Sequence, residues 1–317
     1  MKQIISHESA LEYWRRSRVL PESSTDRRCK GELPVKPSKI VLTMFSEFVL
    51  PVHILIGNRG ARLRSTMFKQ HLFNGETPVG CFMNIGDGLM ASSPEFCFLQ
   101  MANRLSMIDL IELGYELCGE YSLPLSDDLN VPEIGFYQRA PLSGIKKLGA
   151  FLDSMPSANG RDKTMRALRF LRDGSASPME TKLSMFLTLP HMLGGFGFDM
   201  PELNKRIDLS KIASKQFGKE YYICDIYWPD KKIAVEYDSD QHHTGSDRIA
   251  SDSIRRNILN SSGIKVVTVT KLQLYSSTEL IRVAQSIATH MGKRLFFRKR
   301  DFLAKHQELR KQLLKLL

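Results

Sequence analysis

Two short runs near the C-terminal end constrain this chain most. Tyr221-Tyr222-Ile223-Cys224-Asp225-Ile226-Tyr227-Trp228 is dense in aromatic and branched residues. Lys232-Ile233-Ala234-Val235-Glu236-Tyr237-Asp238 follows it across Pro229-Asp230-Lys231. Such residues suit a pleated, half-buried surface and the break suits a turn, so the segment predicts two consecutive strands folding back on each other. Alternation along a strand then sets the faces. Ile223, Asp225 and Tyr227 share a side of the first strand, and Ala234, Glu236 and Asp238 share a side of the second. In simple register Asp225 sits across from the other two acids, which gathers three carboxylates on one patch.

Carboxylates held this close raise one another's pKa. A divalent cation relieves the repulsion, and oxygen-only ligands suit a hard ion, Mg²⁺ or Mn²⁺. Such an ion polarises a phosphoryl oxygen and activates water, the chemistry of phosphodiester hydrolysis. The alternative is three exposed acids on a polar sheet face.

The flanking segments bear on that choice. Ser177-Pro178-Met179-Glu180 predicts a helix start, continuing through Leu187. After the second strand come Gln241-His242-His243, a helix from Asp247 to Ser261 with Ile254, Ile258 and Leu259 on one face, and Gly263 as its stop. Ile264 to Thr270 reads as a buried strand and Thr278 to Thr289 as a last helix. The expected order is helix, strand, strand, helix, strand, helix.

This order and its signature residues resemble the PD-(D/E)xK nuclease superfamily, in particular the small endonuclease domains related to very-short-patch mismatch repair enzymes. The residues that carry the resemblance are Glu180 on a helix, Asp225 on a strand, Glu236-Tyr237-Asp238-Ser239-Asp240-Gln241-His242, Asp252-Ser253-Ile254-Arg255, and Gly263 before a strand. The resemblance implies a restriction-endonuclease-like mixed sheet flanked by helices. It also implies a Mg²⁺- or Mn²⁺-dependent deoxyribonuclease in which Asp225 and Glu236 bind the metal and Glu180 adds a ligand or orients a metal-bound water. Ser177 at the N-cap and Glu180 at N3 fit a capping box equally well, so both roles stay open for Glu180. Asp238 stands where the superfamily usually carries a lysine, although the closer branch also has Asp there. His242 fits a general acid or a phosphate contact. Arg255 fits a phosphate contact or an ion pair with Asp252, and Arg256 beside it is a further basic candidate. The rival expectation is a DNA-binding regulator that keeps the nuclease fold without catalysis.

The N-terminal half predicts a mixed α/β domain with no catalytic motif. Ser6 to Arg18 reads as an amphipathic helix, Pro21 to Ser38 as a loop, and Val52–Ile56 and Gly80–Ile85 as strands. Between them Arg59, Arg62, Arg64 and Lys69 form a basic patch, either a binding surface or a solvated turn. Ser93-Pro94-Glu95 starts a helix, with Ser as N-cap and Pro in the first turn, and Ser106 to Cys118 forms another that stops at Gly119. The Ser-Pro-Glu helix resembles a segment of AbiE-type antitoxins, which are DNA-binding regulators.

Composition enters through charge. Forty-five Lys and Arg against 34 Asp and Glu give a net charge of +11, which favours a polyanion, with DNA first and an anionic membrane second. No apolar stretch is long enough for a membrane span, which disfavours the second. The five cysteines are odd in number and lack C-x-x-C spacing, so reduced thiols in a cytoplasmic protein are expected rather than disulfides or a zinc knuckle. Lys293, Arg294, Arg298, Lys299 and Arg300 crowd toward the C-terminus, where Leu303, Leu309, Leu313 and Leu316 supply an apolar stripe of helical period. That segment is either a phosphate-binding helix or a packed helix with a basic outer face. The expected layout is an N-terminal domain over 1–165, an endonuclease-like domain over 174–290 and a basic helix over 291–317.

Overall fold

The protein is a mixed α/β protein. The structure is a computed structural model that describes residues 3–17, 28–29, 33, 45–86, 88–209, 211, 214–215, 218–238, 258–259, 262–297 and 300–315. The chain divides into two compact units, Met1–Leu171 and Arg172–Leu317.

The first unit is built on a six-stranded mixed sheet. Its strands are β1 (Gln3–Ile5), β2 (Arg28–Cys29), β3 (Val52–Ile56), β4 (Phe68–Leu72), β5 (Phe82–Gly86) and β6 (Leu89–Ser92), in the order β2-β5-β6-β1-β3-β4. β1 runs parallel to β6 and antiparallel to β3, and β3 runs parallel to β4. The helices are α1 (His7–Arg16), α2 (Pro94–Met101), α3 (Met107–Cys118), α4 (Ile145–Asp153) and α5 (Arg161–Leu168), and a small ladder joins β7 (Tyr121–Ser122) to β8 (Tyr137–Gln138).

Capping explains where these helices begin. Ser93 Oγ accepts the Phe96 amide and Ser106 Oγ accepts the Asp109 amide, so each satisfies an orphan N–H of its helix. All eight residues of α2 are buried, and Phe96 and Leu99 join Ile4, Leu55, Phe82 and Phe151 in the core. Gly119 closes α3 with extended backbone at φ −97 rather than a left-handed turn. The expected loop at Pro21–Ser38 requires a correction, because Arg28 and Cys29 pair with Met83 and Phe82. Two residues are too short a run for alternation to register. β1, β4 and β6 were likewise not expected from the sequence.

The second unit contains α6 (Pro178–Thr188), β9 (Glu202–Asp208), β10 (Tyr221–Trp228), β11 (Ile233–Asp238), β12 (Lys265–Thr270), α7 (Lys271–Tyr275), α8 (Ser277–His290) and α9 (Arg300–Leu314). The sheet order is β12-β11-β10-β9. β9, β10 and β11 form an antiparallel meander and β12 runs parallel to β11, a connection that requires a crossover. Ile258 and Leu259 in that crossover are helical and pack with Tyr222, Cys224, Tyr227 and Ala234.

The expected strand count needs correcting, since β9 precedes the hairpin. Its sequence, Glu-Leu-Asn-Lys-Arg-Ile-Asp, is poor in strand-favouring residues. It lies at the sheet edge, where charges discourage pairing with other chains. α9 packs within this unit. Phe302, His306, Leu309, Arg310 and Leu313 are buried, whereas Leu303 of the anticipated stripe is 53% exposed. His306 Nδ1 lies 2.7 Å from the Gly194 carbonyl. Arg310 donates to the Leu274 and Tyr275 carbonyls at 3.0 and 2.6 Å, closing the end of α7. Arg310, a basic side chain of this C-terminal helix, thus serves the interior.

Candidate active site

The hairpin register places the acids. Trp228 pairs with Ile233, Tyr227 with Ala234 and Ile226 with Val235. One step further, Asp225 stands opposite Glu236. There the backbone ladder gives way to a side chain, because Asp225 Oδ2 accepts the Tyr237 amide at 2.8 Å. The other side of β10 is interrupted at the same level. Cys224 pairs with Lys205 and Ile226 with Leu203, which leaves Asp225 opposite Asn204. Asn204 adopts the left-handed backbone region, φ 45, which Asn tolerates better than most residues.

Strict alternation does not hold through this break. Cys224 and Tyr227, three residues apart, belong to one core cluster. The expected common face for Ile223, Asp225 and Tyr227 assumed an unbroken strand.

Glu180 reaches the patch from the first turn of α6. Ser177 Oγ accepts the Glu180 amide at 3.1 Å, the first half of a capping box. The reciprocal contact is shifted by one residue, since Glu180 Oε2 accepts from the Ala176 amide at 3.0 Å. The same oxygen accepts from Asn204 Nδ2 at 2.7 Å, while that amide also donates to the Gly174 carbonyl at 2.9 Å. Burial, reinforced by the charge of Asp225, pushes the Glu180 carboxyl above its ordinary range. The Asn204, Ala176 and Ser177 hydrogen bonds oppose the rise. Glu180 and Asp225 therefore sense one another electrostatically. Glu236 is buried, at 7% exposure, and Asp238 is half-buried at the end of β11 opposite Thr270 of β12.

Asn204 was not anticipated. Its faint signal is the residue type itself, an Asn in the middle of a strand, where a local break is the natural use of that side chain. Of the remaining anticipated residues, His242, Arg255, Arg256, Arg298 and Lys299 lie outside the described residues, as does the side chain of Arg300, which opens α9. Lys293 and Arg294 are exposed, and Lys293 Nζ pairs with Asp199 Oδ2 at 2.6 Å.

Among the described residues no group of three or more His, Cys, Asp or Glu side chains is arranged to hold a metal ion. The donor chemistry fits a smaller demand. Mg²⁺ is commonly held by one or two carboxylates with the remaining positions filled by water and substrate. Asp225 and Glu236, opposite one another in the register of β10 and β11, are of that number. Glu180 Oε2 is already engaged by two donors, which suits it to a position beside an ion rather than on it.

Comparison with known protein families, with curated proteins and with solved structures finds no match to this chain. Among the described residues no helix is long and apolar enough to cross a membrane.

Proposed function

We propose that the second unit is a Mg²⁺- or Mn²⁺-dependent endonuclease that hydrolyses DNA phosphodiester bonds. The observation that carries the reading is the opening of the sheet ladder on both sides of Asp225, which lies opposite Glu236 in register and whose charge acts on the buried Glu180. In this reading Asp225 and Glu236 hold the ion. A bound divalent cation supplies Lewis-acid polarisation of the phosphate and a lowered pKa for an attacking water. Glu180, whose carboxyl is raised by burial and by Asp225, is the group in the patch suited to take up a proton from that water. Asn204 positions Glu180 by holding Oε2. The net charge of +11 supports a polyanionic substrate.

A non-catalytic DNA-binding regulator is the second reading. It is favoured by Asp238 at the position where the resembling superfamily places its lysine. Asp225→Asn discriminates between the two, because it retains an oxygen for the Tyr237 amide while removing the charge. Calorimetric titration with Mn²⁺ and plasmid nicking are measured on the same wild-type and variant samples. Binding and nicking in the wild type, both lost in the variant, are expected of the nuclease. A folded wild type that binds DNA but neither takes up Mn²⁺ nor nicks selects the regulator.

A further inference from the structure

A second polar site lies in the first unit and uses none of the acids above. His7 opens α1, His53 sits in β3 and His71 in β4. The His7 and His71 rings stack, with centroids 3.7 Å apart and planes inclined by 19°. His71 Nε2 lies 3.2 Å from His53 Nδ1, which in turn lies 2.5 Å from Glu8 Oε2. Glu8 also pairs with Arg104. Burial pulls the His7 imidazole down to about 3 and that of His71 to about 4, so both rings are neutral in ordinary buffers.

His7 and His71 line a cavity of about 400 Å³ with Phe73, Gln100, Asn103 and Arg104. Gln100 is only 6% exposed. Its Oε1 accepts the His7 amide at 3.1 Å, which fixes the orientation of its own amide. Among the described residues its Nε2 is buried without a hydrogen-bond partner. A buried donor of this kind calls for an acceptor. The walls offer flat rings, and Arg104, the charged side chain among them, is already paired with Glu8. Stacked imidazoles present faces rather than lone pairs to one another, the wrong disposition for a shared metal ion.

We infer that this cavity binds a purine or pyrimidine base, seated against the His and Phe rings, with a ring carbonyl or nitrogen accepting from Gln100 Nε2. Flat heteroaromatic rings stack on such walls regardless of identity, and an amide donor reads an acceptor on their edge. The cavity volume is within the range of small-ligand sites. The base comes either from a free nucleotide or from an unpaired position in a nucleic acid. The inference stands independently of the nuclease reading.

The test titrates the full chain with deoxyadenosine, deoxyguanosine, deoxycytidine and thymidine, following imidazole proton resonances and heat of binding. Saturable binding of at least one nucleoside with shifts of the His7 and His71 signals is expected. Gln100→Glu keeps an acceptor for the His7 amide and removes the donor, so affinity falls by about tenfold, the loss of one good hydrogen bond. His71→Ala, a second variant, removes one ring and weakens binding likewise. Absence of any saturable shift at millimolar nucleoside overturns the inference, as does wild-type affinity in both folded variants. If neither variant folds, the wild-type imidazole shifts decide. Tighter binding of a single-stranded oligonucleotide than of its abasic counterpart assigns the base to nucleic acid. Equal binding of these two strands, with tight binding of a nucleoside monophosphate, assigns it to a free nucleotide.

Discussion

Asn204 is the most informative single position, because one side-chain amide ties β9 to two other segments. Its Nδ2 donates to the Gly174 carbonyl at 2.9 Å and to Glu180 Oε2 at 2.7 Å, and its backbone sits at φ 45. Asn204→Gly removes both hydrogen bonds but accepts the backbone. A neutral bond is worth about 1 kcal/mol and one to a charged group about 1.5 kcal/mol at the low end. The low end applies because Asn204 is half-buried. Asn204→Gly is therefore expected to cost about 2 kcal/mol. Asn204→Ala loses the same bonds and adds the left-handed penalty of about 1 kcal/mol, for about 3 kcal/mol in all. The chain has two tryptophans, Trp14 in the first unit and Trp228 in the second. Urea unfolding followed by fluorescence in a Trp14→Phe background thus reports the second unit alone. Stability in the order wild type, Gly, Ala is the expectation. Two variants as stable as wild type would refute the bonding argument, and Ala at least as stable as Gly would refute the backbone argument.

The other expectations follow from the same geometry. Glu180 has a raised folded-state pKa, so its contribution to stability is fully present below its unfolded pKa and is lost as pH rises through the folded value. Glu180→Gln should therefore flatten the decline of second-unit stability above about pH 4.5, checked by urea midpoints across pH, and an unchanged slope removes Glu180 as its source. His7 and His71 have depressed pKa values of about 3 and about 4. Their contribution is present above the unfolded value of 6.5 and is lost as pH falls. First-unit stability should drop by about 1–2 kcal/mol per pH unit between about pH 6 and 5, discounted because His71 is only half-buried. His71→Phe should roughly halve that slope, measured by Trp14 fluorescence in a Trp228→Phe background. Arg310→Met strands the Leu274 and Tyr275 carbonyls and should cost the second unit about 2–4 kcal/mol, partly offset by no longer burying a charge. A cost below about 0.5 kcal/mol, the level of an ordinary surface change, would contradict the interior role given to Arg310.

Much of the local structure was legible in the chain. Ser93, Ser106 and Ser177 announce their helices because an N-cap is satisfied by residues three positions away. The hairpin from Tyr221 to Asp238 follows from strand propensity and a turn, and its register puts Asp225 opposite Glu236, as simple pairing expects. What stayed hidden depends on partners distant in sequence. β9 is charged and gains its strand geometry only by lying on β10, and β2 is two residues long and exists only against β5. Asn204 meets Glu180 across 24 residues, and Gln100 meets His7 across 93. Short-range hydrogen bonds and alternation are written into neighbouring residues, so the sequence by itself determined the capped helices and the hairpin. Only the tertiary structure decided that the ladder opens at Asp225, that Glu180 is held there by Asn204, and that two histidines and an unmatched amide line a cavity in the first unit. Those outcomes are set by packing between distant segments, which no local pattern encodes.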